Sequence, residues 1–409
     1  MNEPVEEYAT TTGPMRNEVL QIVHRGDQEY FKIGDVDTMP VFFMSIVSDS
    51  NHWMFVASNG GLTAGRVNAD SALFPYYTDD KIIDSCEHVG SKTIIQGRRN
   101  GTTYNWEPFS IQSHHFKTER NIYKHRLGNS IIFEERNLDL NLCFFYEWST
   151  SDRYGFVKTS TLENHSNETH ELRILDGLQY VLPAGVESEL QNTFSNLVDA
   201  YKHSELHADT GLGIFALSAR ITDRAEPSEA LFANTVWSYG MKKPVVLLST
   251  KQIERFRNGY AITTEHENKG SRGAYLISSS ITLPVGDRST WRCIADVNQS
   301  QPQVIGLVDA ITHAENAVCE LDADVQRGSE ALLSLVMSVD GIHLTGDPLI
   351  DSRHYSNALF NAMRGGVFPK NYTIEKRDFI EYVRTCNIPL HDELHDALSH
   401  FPEEFTLRE

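Results

Sequence analysis

The chain has 409 residues, enough for a sizeable core and for two or three domains unless one large β architecture absorbs most of the length. Thirty-six basic against 56 acidic residues give a formal charge of -20, which repels nucleic acid and anionic membrane and argues against both as partners. Five cysteines scattered without CxxC spacing support neither a disulfide framework nor a zinc site, so no metal is expected.

The N-terminus, MNEPVEEYATTTGPM, carries early carboxylates and no apolar h-region. No uninterrupted apolar stretch approaches the roughly 18 residues of a membrane span. A cytoplasmic protein is the expectation. From about residue 17 to 300 the chain is a succession of short runs rich in β-branched and aromatic residues, separated by Gly, Asn, Asp and Ser clusters. Examples are HWMFVAS, SIIFEER, LCFFYEW, GFVKTSTLEN, GAYLISSSITL and TWRCIADV. A dozen or more strands need two large sheets, because an open twisted sheet of that size curls or splits.

Within this β region the glycines of NGGLTAGRVNADSALFPYYTDD (59–80) fit neither GxGxxG nor GxxxxGK[ST], so a phosphate loop is excluded. The stretch reads as strand, turn, strand, then a mobile loop. One helix is expected in the middle, where Leu190, Phe194, Leu197 and Tyr201 repeat at helical spacing. After residue 300 apolar residues recur three and four apart, and helices take over. RHYSNALFNAMRGG stops at a Gly pair suited to a C-cap, and Asn371 or Thr373 can cap the next helix. The expected organisation is a β domain over 1–300 and a helical part over 301–409.

Sugar recognition stacks CH faces on aromatic rings and hydrogen-bonds hydroxyls, so candidates combine both side-chain types on loops. Tyr76, Tyr77, Asp79 and Asp80 do so, with Arg66 and Asn68 just before them, as do Tyr104, Asn105, Trp106 and Glu107. The substrate-binding set taken forward is Arg66, Asn68, Tyr76, Tyr77, Asp79 and Trp106. The alternative for each cluster is rim aromatics and, for Arg66, a surface ion pair. His114, His115, Glu119 and His125 invite a metal, but adjacent residues of a strand face opposite ways and no HxH or HxxxH repeat is present.

Three stretches carry a family resemblance: GFVKTSTLENHSNETHELRILDGLQ (155–179), ITLPVGDRSTWRCIADV (281–297) with Leu283, Pro284, Gly286 and Asp287, and the early glycine-rich stretch. In this order they resemble the N-terminal region of the cellobiose and chitobiose phosphorylase family. There a β-supersandwich of galactose mutarotase type precedes an (α/α)6 catalytic barrel. The resemblance implies a large two-sheet antiparallel β-supersandwich followed by a helical segment. It implies a carbohydrate-binding, site-shaping region of a glycoside phosphorylase or hydrolase acting on β-linked gluco-oligosaccharides. The catalytic aspartate and phosphate site of that family belong to the barrel, so the chain alone is expected to be non-catalytic. Partners would be an oligosaccharide and a helical catalytic domain in the same longer chain or another, with a homodimer also open. No cofactor is implied, and inorganic phosphate would be a co-substrate if the parent is a phosphorylase. Two alternatives remain open: a mutarotase using a His acid and a Glu base, with His165, His170, His203, His207, Glu163, Glu187 and Glu205 available, and a purely structural or dimerisation module.

Overall fold

The computed structural model describes residues 20–26, 28–99, 101–219, 231–364, 373–386 and 388–406. It divides into two compact units, Met1–Gly328 and Ser329–Glu409. The first is mainly β. Its large sheet has eleven strands, in spatial order Leu20–Arg25, Gln28–Ile33, Thr118–His125, Ile131–Asn137, Leu142–Ser151, Gly155–Asn164, Arg288–Ser300, Phe232–Tyr239, Leu212–Leu217, Lys202–His207 and Glu267–Lys269. A second sheet orders Val245–Leu247, Gly273–Leu283, His170–Val181, Gly90–Arg99 and Thr102–Trp106, and a third joins Phe43–Ile46, His52–Ala57 and Leu62–Arg66. Every pairing is antiparallel.

Alternation explains the packing. Phe144, Tyr146 and Trp148 of one strand of the large sheet share a core with Trp291, Cys293 and Ala295 of another, and with Leu172, Ile174 and Leu178 of the second sheet. That core lies between the two sheets. The far side of the second sheet is closed by the short helix Ile253–Arg257, whose Ile253 and Phe256 cover Ile94, Leu175 and Leu276. The far side of the large sheet buries Val157, Trp237 and Ile294 against Ile311, Ala317 and Leu321 of the helices Gln301–Thr312 and Ala314–Ser338. The change to helix therefore falls at residue 301, where Ser300 and Gln303 form a capping box and Pro302 occupies the first turn. The compact unit continues to Gly328 because this helical pair is the cover of a sheet face.

One side chain binds the two halves of the family-like pattern together. Asn164, buried at the end of its strand, donates from Nδ2 to the carbonyls of Glu168, Leu283 and Pro284 at 2.8, 3.0 and 3.0 Å. Its backbone N–H donates to Asp287 and its carbonyl accepts from Gly286. The LENHS and LPVGD turns are thus one locked unit. Asn164→Ala removes the three side-chain bonds and strands the buried Leu283 carbonyl, and is expected to cost about 1–3 kcal/mol in urea unfolding; unchanged stability would contradict the lock.

The helix expected near residue 190 is Ser188–Asp199, with Val198 buried and Leu197 exposed. In the second unit Asp347 caps Pro348–Met363 by accepting from Leu349 and Ile350 N–H, so this helix starts earlier than the sequence implies. Its expected Gly pair and Asn371 lie outside the described residues. Thr373 is not a cap: Thr373–Glu375 is a strand paired with Glu404–Thr406, and the next helix is Lys376–Cys386. A further helix, Ile388–Ser399, follows. Among the described residues no helix is long and apolar enough to cross a membrane.

Candidate functional site

The stretch from Gly60 to Asp80 is not a free loop. Ala57 to Gly61 close the hairpin between His52–Ala57 and Leu62–Arg66, and Leu73 and Phe74 are wholly buried. Its glycines serve close approach. A Cβ on Gly61 would lie 2.3 Å from the Ile82 carbonyl oxygen, and one on Gly65 would lie 2.4 Å from the Trp53 ring.

The expected binding residues scatter accordingly. Arg66 is turned inward, pairing with Asp296 at 2.9 Å and donating from Nη2 to the Ser151 and Asp152 carbonyls, with its side chain 16% exposed. Trp106 is fully buried and donates its indole N–H to Glu135 at 2.7 Å, so its ring has no surface on which a sugar could stack. Asn68 is exposed and shapes its own turn, its side chain accepting from the Asp70 N–H. Asp79 opens the short helix Asp79–Asp84 and accepts from the Asp80 N–H. Tyr76 packs edge-on against Trp53 at 5.5 Å. Tyr77 has Lys81 Nζ 6.0 Å from its ring centroid, and none of the six lines the cleft that the second sheet builds.

That cleft, of about 420 Å³, opens where the strands Gly90–Arg99, His170–Val181 and Gly273–Leu283 meet the helix Ile253–Arg257. Its shape depends on a β-bulge. Gln179 pairs with Ala274 and Val181 with Gly273, leaving Tyr180 as the extra residue with φ of 53°. A left-handed non-glycine residue at such a bulge is a strained feature that re-aims a side chain. Here it holds the phenol between Lys202 Nζ, 4.7 Å from the ring centroid, and Arg272 Cζ, 4.5 Å from it.

Opposite stands a polar network. Lys92, nearly buried, pairs with Glu107 at 2.8 Å and Glu87 at 3.1 Å. Arg257 grips both oxygens of Glu107 at 2.6 and 2.8 Å and also pairs with Glu254. Glu87 further accepts from the Ser110 hydroxyl and the Ile111 N–H, and its carbonyl accepts from Gln179 Nε2 at 3.1 Å. Burial pushes both carboxyls upward, yet Lys92 and the Ile111 N–H hold Glu87 below the usual carboxylate range, and Arg257 and Lys92 do the same for Glu107. Both are anions at neutral pH. They are hydrogen-bond acceptors rather than general acids. The cleft is lined by three cations, Lys92, Arg257 and Arg272, and two carboxylates, Glu87 and Glu254; Glu107, buried beside them, pairs with Lys92 and Arg257, and Arg272 lies 3.6 Å from Asp199. A surface so dense in hydrogen-bonding groups suits a hydroxyl-rich ligand.

Of these residues only Glu107 was legible in the sequence. The others come from segments far apart, and only the bulge brings them together. The histidines considered for a mutarotase do not line the cleft: His165 pairs with Glu163, His203 with Glu267, His207 with Thr210 and His170 with Ser166. A hollow of about 560 Å³ in the second unit is lined by residues that include Arg377, Glu381, Arg384 and His391, with no Phe, Tyr or Trp.

Residues 368–409 match the family model of glycoside hydrolase family 149 insertion domain 1. No curated protein matches the sequence. Among solved structures the chain is similar to a bacterial glucoamylase complexed with acarbose, at 9% identity and a TM-score of 0.39, covering 78% of this chain and 42% of that one. It is similar to a kojibiose phosphorylase from the human microbiome at 8% identity and a TM-score of 0.37, over 81% of this chain and 35% of that one. A GalM/aldose epimerase homologue from C. elegans gives 10% identity and a TM-score of 0.36, over 64% of this chain and all of that one, 100%. The chain therefore spans less than half the length of the first two. The mainly β sandwich and the matched C-terminal segment agree with the resemblance to a phosphorylase-family sandwich region. At these values the structural likenesses bear no functional weight, and the function rests on the matched segment and on the residues themselves.

Proposed function

We propose that this chain is the carbohydrate-binding, site-shaping sandwich region of a glycoside phosphorylase or hydrolase acting on β-linked gluco-oligosaccharides. The observation that carries the reading is the cleft at the Tyr180 bulge, where Lys92, Arg257, Arg272, Glu87, Glu254 and Gln179 gather hydrogen-bonding groups beside one aromatic residue. The glycoside hydrolase match over 368–409 supports the substrate class. The region binds and orients sugar; the chemistry belongs to a helical catalytic domain, with inorganic phosphate as co-substrate if the parent is a phosphorylase. A mutarotase reading needs a His acid and a free Glu base on one sugar ring; His88 lines this cleft with Glu87 and Glu254, but Glu87 is engaged by Lys92, Ser110 and the Ile111 N–H and Glu254 by Arg257, which disfavours either carboxylate as a base.

The test is calorimetric titration of the purified chain with short β-gluco-oligosaccharides. Gln179→Ala and Arg272→Ala each remove one donor group at the cleft, and each is expected to weaken binding by about 1–3 kcal/mol with the circular dichroism spectrum unchanged. Binding that both variants leave intact, or no binding by the parent chain, would overturn the assignment. A coupled anomer-interconversion assay on the same sample is expected to show no catalysis; turnover there would favour the mutarotase.

A further inference from the structure

Away from the cleft, on the opposite register face of the strand that ends in Asn164, three metal-ligand types meet. Cys143 lies directly across the antiparallel ladder from Glu163, and His165 follows two residues after Glu163, so all three side chains project from one face. One ligand atom from each lies within 4.8 Å of the others, the only such His, Cys, Asp and Glu grouping of three among the described residues. His165 Nε2 and Glu163 Oε2 are 3.1 Å apart. Metal bonds of about 2.0–2.1 Å to N and O place two tetrahedral ligand atoms about 3.3 Å apart, so this pair already has the needed spacing.

The backbone beneath is fixed. The His165 N–H donates to the Asn141 carbonyl at 2.9 Å, and Asn164, between the other two ligands, is held by its three carbonyl partners. Two cations flank the group on neighbouring strands: Arg136, across from Cys143 and paired with Glu134 at 3.2 Å, and Arg288, across from Glu163. Cys143 is buried while the His165 side chain is 62% exposed, so the group is anchored from below and open to water above.

We propose that Cys143, Glu163 and His165 form a binding site for a zinc-class divalent cation. A thiolate, an imidazole and a carboxylate are the donor set that borderline-soft metals select over calcium or magnesium, and three protein ligands leave a fourth position for water. On binding, the metal–sulfur bond forms and the thiol proton is released to solvent. The sequence hides the site because it contains no short Cys motif. The ladder alone brings Cys143 to the Glu-x-His of the next strand.

The experiment is titration of the full chain with Co²⁺, reading the near-ultraviolet thiolate-to-cobalt charge-transfer band, followed by competition with Zn²⁺. The parent chain should bind one equivalent with the band and lose it as Zn²⁺ displaces Co²⁺. Loss of an outer-shell partner costs a metal site 10- to 100-fold, so Cys143→Ser and His165→Ala, which remove ligands themselves, should each weaken binding more than about 100-fold, and Cys143→Ser should abolish the band. His165 is exposed, so its variant keeps the fold. His114→Ala with His115→Ala, a surface control, should leave band and affinity unchanged. No charge-transfer band in the parent, or affinity equal in the parent, Cys143→Ser and His165→Ala, would overturn the site.

Discussion

Replacing Asp176 with Ala is expected to destabilise the sandwich by about 3–5 kcal/mol, the cost of stranding a buried charge. Asp176 belongs to the second sheet and Lys158 to the large one; both are wholly buried, and Lys158 Nζ lies 2.6 Å from the carboxylate. The same carboxylate accepts from Thr93 at 2.5 Å, Ser160 at 3.0 Å and the Trp291 indole at 2.7 Å, so all its acceptor sites have donors from both sheets. Removing it leaves an ammonium, an indole N–H and two hydroxyls without their partner in a dry core. Urea unfolding of the parent and Asp176→Ala measures the loss. A difference below about 1 kcal/mol would show that the two sheets are held by apolar packing alone. The double variant Lys158→Met with Asp176→Leu should recover much of the deficit, because it removes the stranded charge as well as its partner.

The second large effect is a dependence of stability on acid, centred on Arg66. His52 is buried, its Nδ1 lies 3.2 Å from the Ser48 hydroxyl, and burial together with the Arg66 charge pushes its pKa down to about 3. The unfolded chain takes up that proton near pH 6.5. Because the folded pKa is the lower one, the contribution of His52 is fully present above pH 6.5 and is lost as pH falls through that value toward 3. Asp296, on the other side of Arg66, has the opposite sign. Burial pushes it up to about 6 despite the Arg66 pairing, so the folded state gains as pH falls from 6 toward the unfolded carboxylate value. The two effects oppose each other in the parent and separate in variants. Between pH 7 and pH 4, His52→Leu should lose less stability than the parent by on the order of 3 kcal/mol, and Asp296→Asn should lose more. Coincident pH profiles for the parent and His52→Leu would mean that the imidazole is not buried neutral.

The β architecture was readable because its strands alternate: Phe144, Tyr146 and Trp148 point to the core while Phe145 and Glu147 are less enclosed by it. The change of period after residue 300 marked the first covering helix for the same reason. What a local pattern could not show is which polar residue goes inside. Lys158 lies in a run that reads as an ordinary half-buried strand, and its burial depends on Asp176 in another sheet. Trp106 looked like a loop aromatic because its neighbours are polar, yet Glu135 receives its N–H in the core. Gly61 and Gly65 looked like sources of freedom when they are places of close contact. The cleft was hidden for a related cause: its cations and carboxylates are separated by long stretches of chain, and the bulge that aims Tyr180 carries no glycine to betray its left-handed conformation.

The central claim is that sugar is held at the Tyr180 bulge, and amide hydrogen exchange with and without a β-gluco-oligosaccharide tests it most directly. The account predicts that sugar slows exchange in the segments around Glu87–Lys92, Gln179–Val181, Thr250–Arg257 and Arg272–Ala274, which border the cleft, and leaves the hairpin around Gly61 unchanged. Protection confined to residues 60–80 or to the second unit, or no protection at saturating sugar, would contradict it.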